Sequence, residues 1–440
     1  MKIKYISILG LIFGIVLSFL PHFVLGGFLQ ITLENKKYNT TNNELYDTWS
    51  VHLDCIPRDI TIDSNNSIYV VGDNISWDYS LKILKYDDAG VQLWNKQYED
   101  FFIFNPIIKT DSQNNLYLTC SFSNQTSEYR RTLVKYNSSG NLQWQQTWEP
   151  EDLVYISDFD FDSEDNIFIY GFWESEDYTD HTLLIMKFNS SGYQLWNQTF
   201  EESSNNLNAR CLEIDSDNNI IITGSSYEDD WVYWLRLYNS SGELKWFMNS
   251  SYESFELLKL DPEENLITMA RTLDNITYES YLILYKLNKS GICIWNYTFE
   301  SKFTNYLYYG GIPTSMMYQF NLEIDSLGDI YVASEVEIPN DSHFIDAIIF
   351  KINQTGNFDN YLTWGGPRDD YSMDIDTDTD NNLYLCSLDY LIKNPVSNGK
   401  SFYRTNLFYF FITLFGLFCF LSLVSLYFII KPRARRILRK

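Results

Sequence analysis

The chain is poor in the residues from which most catalytic and metal sites are built. Its 440 residues include only 4 His and 6 Cys. His22 lies in an N-terminal apolar region, and His52, His181 and His343 are scattered with no metal-ligand spacing. No Gly-x-Ser-x-Gly elbow and no Gly-rich phosphate loop occurs, so neither that hydrolase arrangement nor a nucleotide cradle is written in the chain. Cys419 falls in a C-terminal apolar run, and Cys55, Cys120, Cys211, Cys293 and Cys386 are unperiodic. That pattern argues against a disulfide framework and a zinc site, and leaves room for one bridge at most. Proline is scarce at 10 residues, and no long helical pattern appears. Positive charge is also short, with 32 Lys and Arg against 58 Asp and Glu. Eight of the basic residues sit at the two ends, so the rest holds 24 basic against 58 acidic, a net of −34. A surface that acidic disfavours nucleic acid or anionic lipid as a partner and suits a well-solvated exterior.

What the chain has in quantity is Tyr (34), Phe (30) and Trp (12), enough apolar area for strand-rich packing. A unit of about fifty residues recurs seven times between Trp49 and Lys393. Each copy opens on an Asp turn, runs through an apolar strand and a variable loop, and enters a second strand ending in Lys or Arg. A polar turn and a Trp close it. The opening aspartates are read as Asp63, Asp111, Asp162, Asp215, Asp261, Asp325 and Asp376, with steps of 48, 51, 53, 46, 64 and 51. Trp94, Trp144, Trp196, Trp246 and Trp295 step by 50, 52, 50 and 49. This spacing predicts an all-β fold, a seven-bladed propeller of four-stranded blades over 44–394. The last copy lacks its closing strand, and Glu44 to Val51 is the segment expected to supply it, removing an open edge.

The ends carry an address. Lys2 and Lys4 precede an apolar run, so 1–26 reads as a signal peptide or an uncleaved signal anchor. Residues 395–406 form a short tether. Residues 407–430 are 24 uncharged residues, long enough for a transmembrane helix. The basic tail 431–440 is then cytoplasmic and the repeats extracellular. Fourteen Asn-x-Ser/Thr sequons fit an exported chain: Asn39, Asn65, Asn74, Asn124, Asn137, Asn189, Asn197, Asn239, Asn249, Asn275, Asn288, Asn296, Asn340 and Asn353. Asn and Ser are also favoured turn residues, which discounts some of them.

The Asp-Ser-x-Asn turn, the apolar strand to Gly, the Lys-Tyr-Asn strand end and Gly-x-x-x-Trp together resemble the β-propeller repeat of bacterial and archaeal surface proteins. The run Lys135 to Trp144 also looks like the tryptophan-docking segment of quinoprotein-type propellers. The resemblance implies the architecture and not a function, since related propellers serve as enzymes, adhesins and scaffolds.

Candidate chemistry is sparse. Lys85, Lys135, Lys187, Arg236, Lys286, Lys351 and Lys393 recur one per blade, and ion pairing with the turn aspartates is the favoured reading over an anion-binding ring. Asp376, Asp378 and Asp380 stand at the spacing that begins a calcium loop. However, Asn381 occupies the glycine position and Ser387 the bidentate-glutamate position, and capped turns need no metal. No other cofactor is expected. The variable-loop face carries aromatic side chains at Trp77, Tyr79, Trp173, Tyr178, Tyr227 and Trp231, and at Tyr306, Tyr308 and Tyr309 in the one long insertion. Among carboxylates and amides these suit a surface glycan or a protein partner with cationic side chains. The expectation is a non-enzymatic binding or adhesion module; the alternatives are a quinone-dependent or glycan-active propeller enzyme and a structural surface-layer component. Chain exit at Asn394 predicts the turn face toward the bilayer and the variable loops outward.

Overall fold

A computed structural model describes residues 48–394 apart from 75–79, 99–101, 124–128, 150–153, 175–180, 205, 228–229, 274–279, 300–319, 338–344 and 366–369. These residues form seven four-stranded antiparallel sheets. Blade one runs Cys55–Ile62 (strand a), Ile68–Asn74 (b), Leu81–Tyr86 (c) and Gln92–Tyr98 (d). Blades two to six start from strands a at Phe102–Thr110, Val154–Phe161, Asn206–Ile214, Glu253–Leu260 and Asn321–Ile324. Blade seven combines Ser372–Thr377, Leu383–Ser387 and Tyr390–Lys393 with Trp49–His52, which pairs from Trp49 opposite Lys393 to His52 opposite Tyr390. Of the segment read from Glu44, residues 44–47 lie outside the described residues.

Strand b is a continuous β-branched and aromatic run because both of its faces are covered; Ile68, Tyr69, Val70 and Val71 are all fully buried. Apolar side chains collect in seven clusters, one per seam, so the core is a ring of interfaces rather than a centre. Tyr69 and Val71 meet Ile108 and Leu116 between blades one and two, and Ile221 and Leu237 meet Leu258 and Leu266 between blades four and five.

A polar clasp accompanies each of several seams. Trp94 Nε1–H and Lys85 Nζ–H both donate to the Ser138 carbonyl in the next blade's c–d turn, at 3.2 and 3.0 Å. Trp144 and Lys135 do the same to Ser190, and Trp49 and Lys393 to Asp88. The turn glycine lies on the indole: Gly140, Gly192, Gly291 and Gly356 have positive φ, and a Cβ would stand 2.9 and 2.6 Å from Trp144 and Trp295 at Gly192 and Gly356 and 3.2 Å from Trp94 and Trp246 at the other two. Trp196 departs from the pattern. Gln198 instead meets Gly242 and donates to its carbonyl at 3.2 Å.

A second ring runs through the a–b turns. Asp63 Oδ1 accepts the N–H groups of Asn65 and Ser67, and Asn66 takes the left-handed conformation at φ 59°. The Ser64 N–H and hydroxyl both donate to Asn114 Oδ1 of the next turn. The same link joins Ser112 to Asp165, Ser163 to Asn218, Ser326 to Asn381 and Thr379 to Asn66, and the Ser216 N–H reaches Glu264. At the seam of blades five and six the positions hold Pro262, which has no N–H, and Gly328, which has no side chain. The turn of blade seven corrects one expectation: its aspartate is Asp378, two residues after Asp376, because strand a continues through Thr377.

Candidate functional site

Six of the seven recurrent cations do what pairing predicts, and Arg236 lies over the Trp234 ring at 4.7 Å. Lys85, Lys135, Lys187, Lys286 and Lys393 lie 2.6 to 3.9 Å from Asp63, Asp111, Asp162, Asp261 and Asp378. Lys351 pairs instead with Asp329, four residues into its turn, at 2.7 Å. Several ammonium groups also sit over a strand b ring, such as Lys85 over Tyr69 and Lys187 over Phe168. Burial raises the Tyr69 and Tyr384 phenols, with the turn carboxylates adding to it, so both stay protonated and donate to Asp63 and Asp378.

Sequence reasoning missed the central channel. Strand a of each blade is its innermost strand and has an unpaired edge. Six of the seven carry a register shift, at Pro57/Asp59 in blade one for example, which twists the strand there. Beyond the shift, carboxylates reach to the next blade's free edge N–H groups. Asp374 and Asp376 accept from Ile60 and Ile62, Asp59 from Ile108, and Asp158 and Asp160 from Leu212 and Ile214, at 2.6 to 3.1 Å. Asp376, read as a turn residue, thus belongs to the channel. Lys109 lies 3.2 Å from Asp158, and Lys259 3.1 Å from Glu323. Burial pushes Asp59, Asp160, Asp374 and Asp376 above the usual carboxyl range, and Glu213 up to about 8, with Asp160 adding to the shift at Glu213. Asp158 and Asp160 hold Lys109 above its ordinary range against the burial that opposes its charge.

The three calcium-spaced aspartates do not converge. Asp376 is in the channel strand, Asp378 accepts from Asp380 N–H, Asn382 N–H and the Tyr384 hydroxyl, and exposed Asp380 accepts from Asn66 Nδ2.

On the variable-loop face, Tyr227 and Trp231 pair directly across the end of their hairpin, with ring centroids 5.3 Å apart, and Trp231 stacks on Tyr233 at 6.1 Å. Tyr227 and Trp231 are each about 40 % exposed. Trp173, also 39 % exposed, faces the seam of blades two and three. There it lines a groove of about 360 Å³ with Trp148, Val154, Leu184, Met186, Gln194, Asn197 and Thr199. Trp77, Tyr79, Tyr178, Tyr306, Tyr308 and Tyr309 lie outside the described residues.

Beside Trp173 stands a cluster with no sequence signal beyond the two residues bracketing a loop. His181 Nε2–H donates to Glu174 Oε1 at 3.0 Å, while the Leu207 N–H donates to His181 Nδ1 at 3.4 Å. The second bond assigns the tautomer, because Nδ1 must be unprotonated to accept. Phe172 stacks between His181 and Tyr155, and the Arg131 guanidinium lies 3.9 Å from the Tyr155 ring centre. Burial, then Glu174, raises the Tyr155 phenol. Both imidazole nitrogens are hydrogen-bonded, and this group braces the roots of the loop.

The sequons divide by geometry. Asn137, Asn189, Asn239, Asn288 and Asn353 each hold the c–d turn, with Oδ1 accepting two backbone N–H groups. Ser241 and Thr355 hydroxyls donate to the same oxygen, so the turn itself favours the Asn-x-Ser/Thr pattern. Blade one uses Asp87 for the same bonds. Asn197, Asn249 and Asn296 are exposed on outer strands. Asn65 is in an a–b turn and Asn74 ends strand b of blade one; Asn39, Asn124, Asn275 and Asn340 lie outside the described residues.

No protein-family model matches the chain, and no curated protein does. Solved structures similar to it are propellers and other proteins at low identity. A streptogramin B lyase is 12 % identical, with a TM-score of 0.47, over 79 % of this chain and 97 % of that one. The Dos1 propeller is 11 % identical, with a TM-score of 0.47, over 78 % and 93 %. An ulvan lyase of polysaccharide lyase family PL25, bound to a glucuronate–sulphated rhamnose unit, is 10 % identical, with a TM-score of 0.47, over 78 % and 93 %. Likeness at this level is one of fold.

Proposed function

We propose that this propeller is a cell-surface binding module, held at the membrane by the helix at 407–430 with its basic tail inside, and that it engages a glycan or a protein through its variable-loop face. The N-terminal strand acts as the latch that closes the ring. The observation that carries the reading is the exposed pair of Tyr227 and Trp231, with half-buried Tyr233 stacked against Trp231 and Trp173 beside an open groove. Aromatic faces supply contact area at little entropic cost and suit sugar rings and cationic side chains. The neighbouring Glu174–His181 pair is hydrogen-bonded at both imidazole nitrogens and braces the loop beside Trp173. In this reading 1–26 directs export and the turn face looks toward the bilayer. The test is binding of the full chain in detergent to a glycan array, with Trp231→Ala and Trp173→Ala compared. Loss of selected glycans in the variants, with an unchanged urea midpoint, supports the reading. Equal binding by the variants would sink the site; turnover of an array glycan, or a visible absorbance band from a bound quinone, would favour an enzyme. Ordered two-dimensional self-assembly would favour a surface-layer component.

A further inference from the structure

We propose that Cys55 and Cys386 form a disulfide that joins the first and last blades and locks the ring. Of the five cysteines among the described residues, these two alone share a buried cluster, with Trp49, Leu53, Tyr86 and Leu391. Cys55 opens strand a of blade one, and Cys386 is in strand b of blade seven on the side facing it; both are fully buried. The backbone brings their segments together independently. The Leu53 N–H donates to the Asp389 carbonyl at 2.7 Å, and His52 Nε2 lies 3.0 Å from the Asp389 carboxylate. Two residues before one cysteine are therefore tied to a turn three residues after the other. Burial, then Asp374 and Cys55, raises the Cys386 thiol.

The seam has a reason to be bonded. Its sheet is assembled from both ends of the described chain, and the described strand from the N-terminal side, Trp49–His52, is four residues long. A cross-link here encloses almost the whole described chain, and the restriction a disulfide places on the unfolded state grows with the loop it closes. The two thiols lose two electrons and two protons to a disulfide-bearing oxidant, an oxidoreductase or glutathione disulfide, which leaves as two thiols. One Cys55–Cys386 S–S bond forms and the oxidant's S–S bond breaks.

Burial also dictates when this happens. It pushes the Cys55 thiol up to about 12, with Asp54 adding to it, and the Cys386 thiol well above its usual range. The attacking thiolate is scarce in the closed ring, so exchange proceeds while the seam is open, and the finished bond is shielded from reductant.

The experiment uses the full chain in detergent, unfolded in urea and refolded with glutathione and glutathione disulfide, then alkylated and mapped without reduction. The expected result is one cross-linked peptide pair containing Cys55 and Cys386, with Cys120, Cys211 and Cys293 alkylated. The urea midpoint should be higher for oxidised than for reduced chain. Cys55→Ala should abolish that difference, and Cys293→Ala, at an exposed position, should keep it. In native buffer the bond should resist glutathione at least tenfold longer than in urea near the midpoint. Absence of the linked pair, a different pairing, or equal midpoints with the bond made would overturn the proposal. The wild-type map stands even where Cys55→Ala fails to fold.

Discussion

The Thr379 hydroxyl donates to Asn66 Oδ1 at 2.7 Å, so the last a–b turn hands on to the first. Five other hydroxyl or N–H links of this kind run around the ring, and each spans two blades. Thr379→Val keeps shape and removes the hydroxyl. It should lower stability by about 0.5–1.5 kcal/mol, read as a lower urea midpoint with an unchanged slope. A null result would mean that the backbone N–H of residue 379 carries the link alone.

The one seam without this link is open to repair. Pro262→Ser together with Gly328→Asn restores donor and acceptor between blades five and six. Gly328 has φ 82°, a region Asn tolerates, and its nearest neighbour is a Gln354 side chain at 3.3 Å from a built Cβ. The double variant should gain about 0.5–1.5 kcal/mol over the sum of the singles in a double-mutant cycle. Additive singles would refute the link.

Two glycines of similar φ should respond differently to alanine. A Cβ on Gly356 would stand 2.6 Å from Trp295, whereas on Gly328 it meets nothing closer than 3.3 Å. Gly328→Ala should cost roughly 1–2 kcal/mol from left-handed strain alone. Gly356→Ala adds displacement of the indole and should cost roughly 2–4 kcal/mol, with a shift in tryptophan fluorescence. Equal losses would show that the indole yields without resistance.

The channel makes stability pH-dependent. The carboxyls of Asp59, Asp160, Glu213, Asp374 and Asp376 bind protons more tightly in the folded chain, chiefly because of burial. Their contribution is fully present below the ordinary carboxyl range of about 4 and is lost as pH rises through the folded values. For Glu213 that window ends near 8. Glu213→Gln mimics the protonated form, so it should gain on the order of 1–3 kcal/mol relative to the parent at pH 9 and little at pH 4. A gain of equal size at both pH values would show that Glu213 is not the titrating group.

The sequence by itself determined the repeat: blade number, strand order and most of the Asp and Lys partners were legible because each is set by local turn chemistry or strand burial, whereas the contact of Gly140 with Trp94 joins two blades and was not. Asp63 with Lys85 is a legible example, since both sit at the same end of neighbouring strands in one blade. Asp376 was misread for the same reason: Asp376, Asp378 and Asp380 look equivalent along a chain, and only the length of strand a separates them. What tertiary structure decided lies between blades. Whether Asp59 or Asp160 points to solvent or into the channel depends on a register shift and on the next blade's unpaired edge. The neighbourhood of Cys55 and Cys386 exists only once the first and last blades meet. A repeat encodes its own fold in every copy, but contacts between non-identical neighbours depend on which copy comes next, and at the seam of blades seven and one on both ends of the described chain.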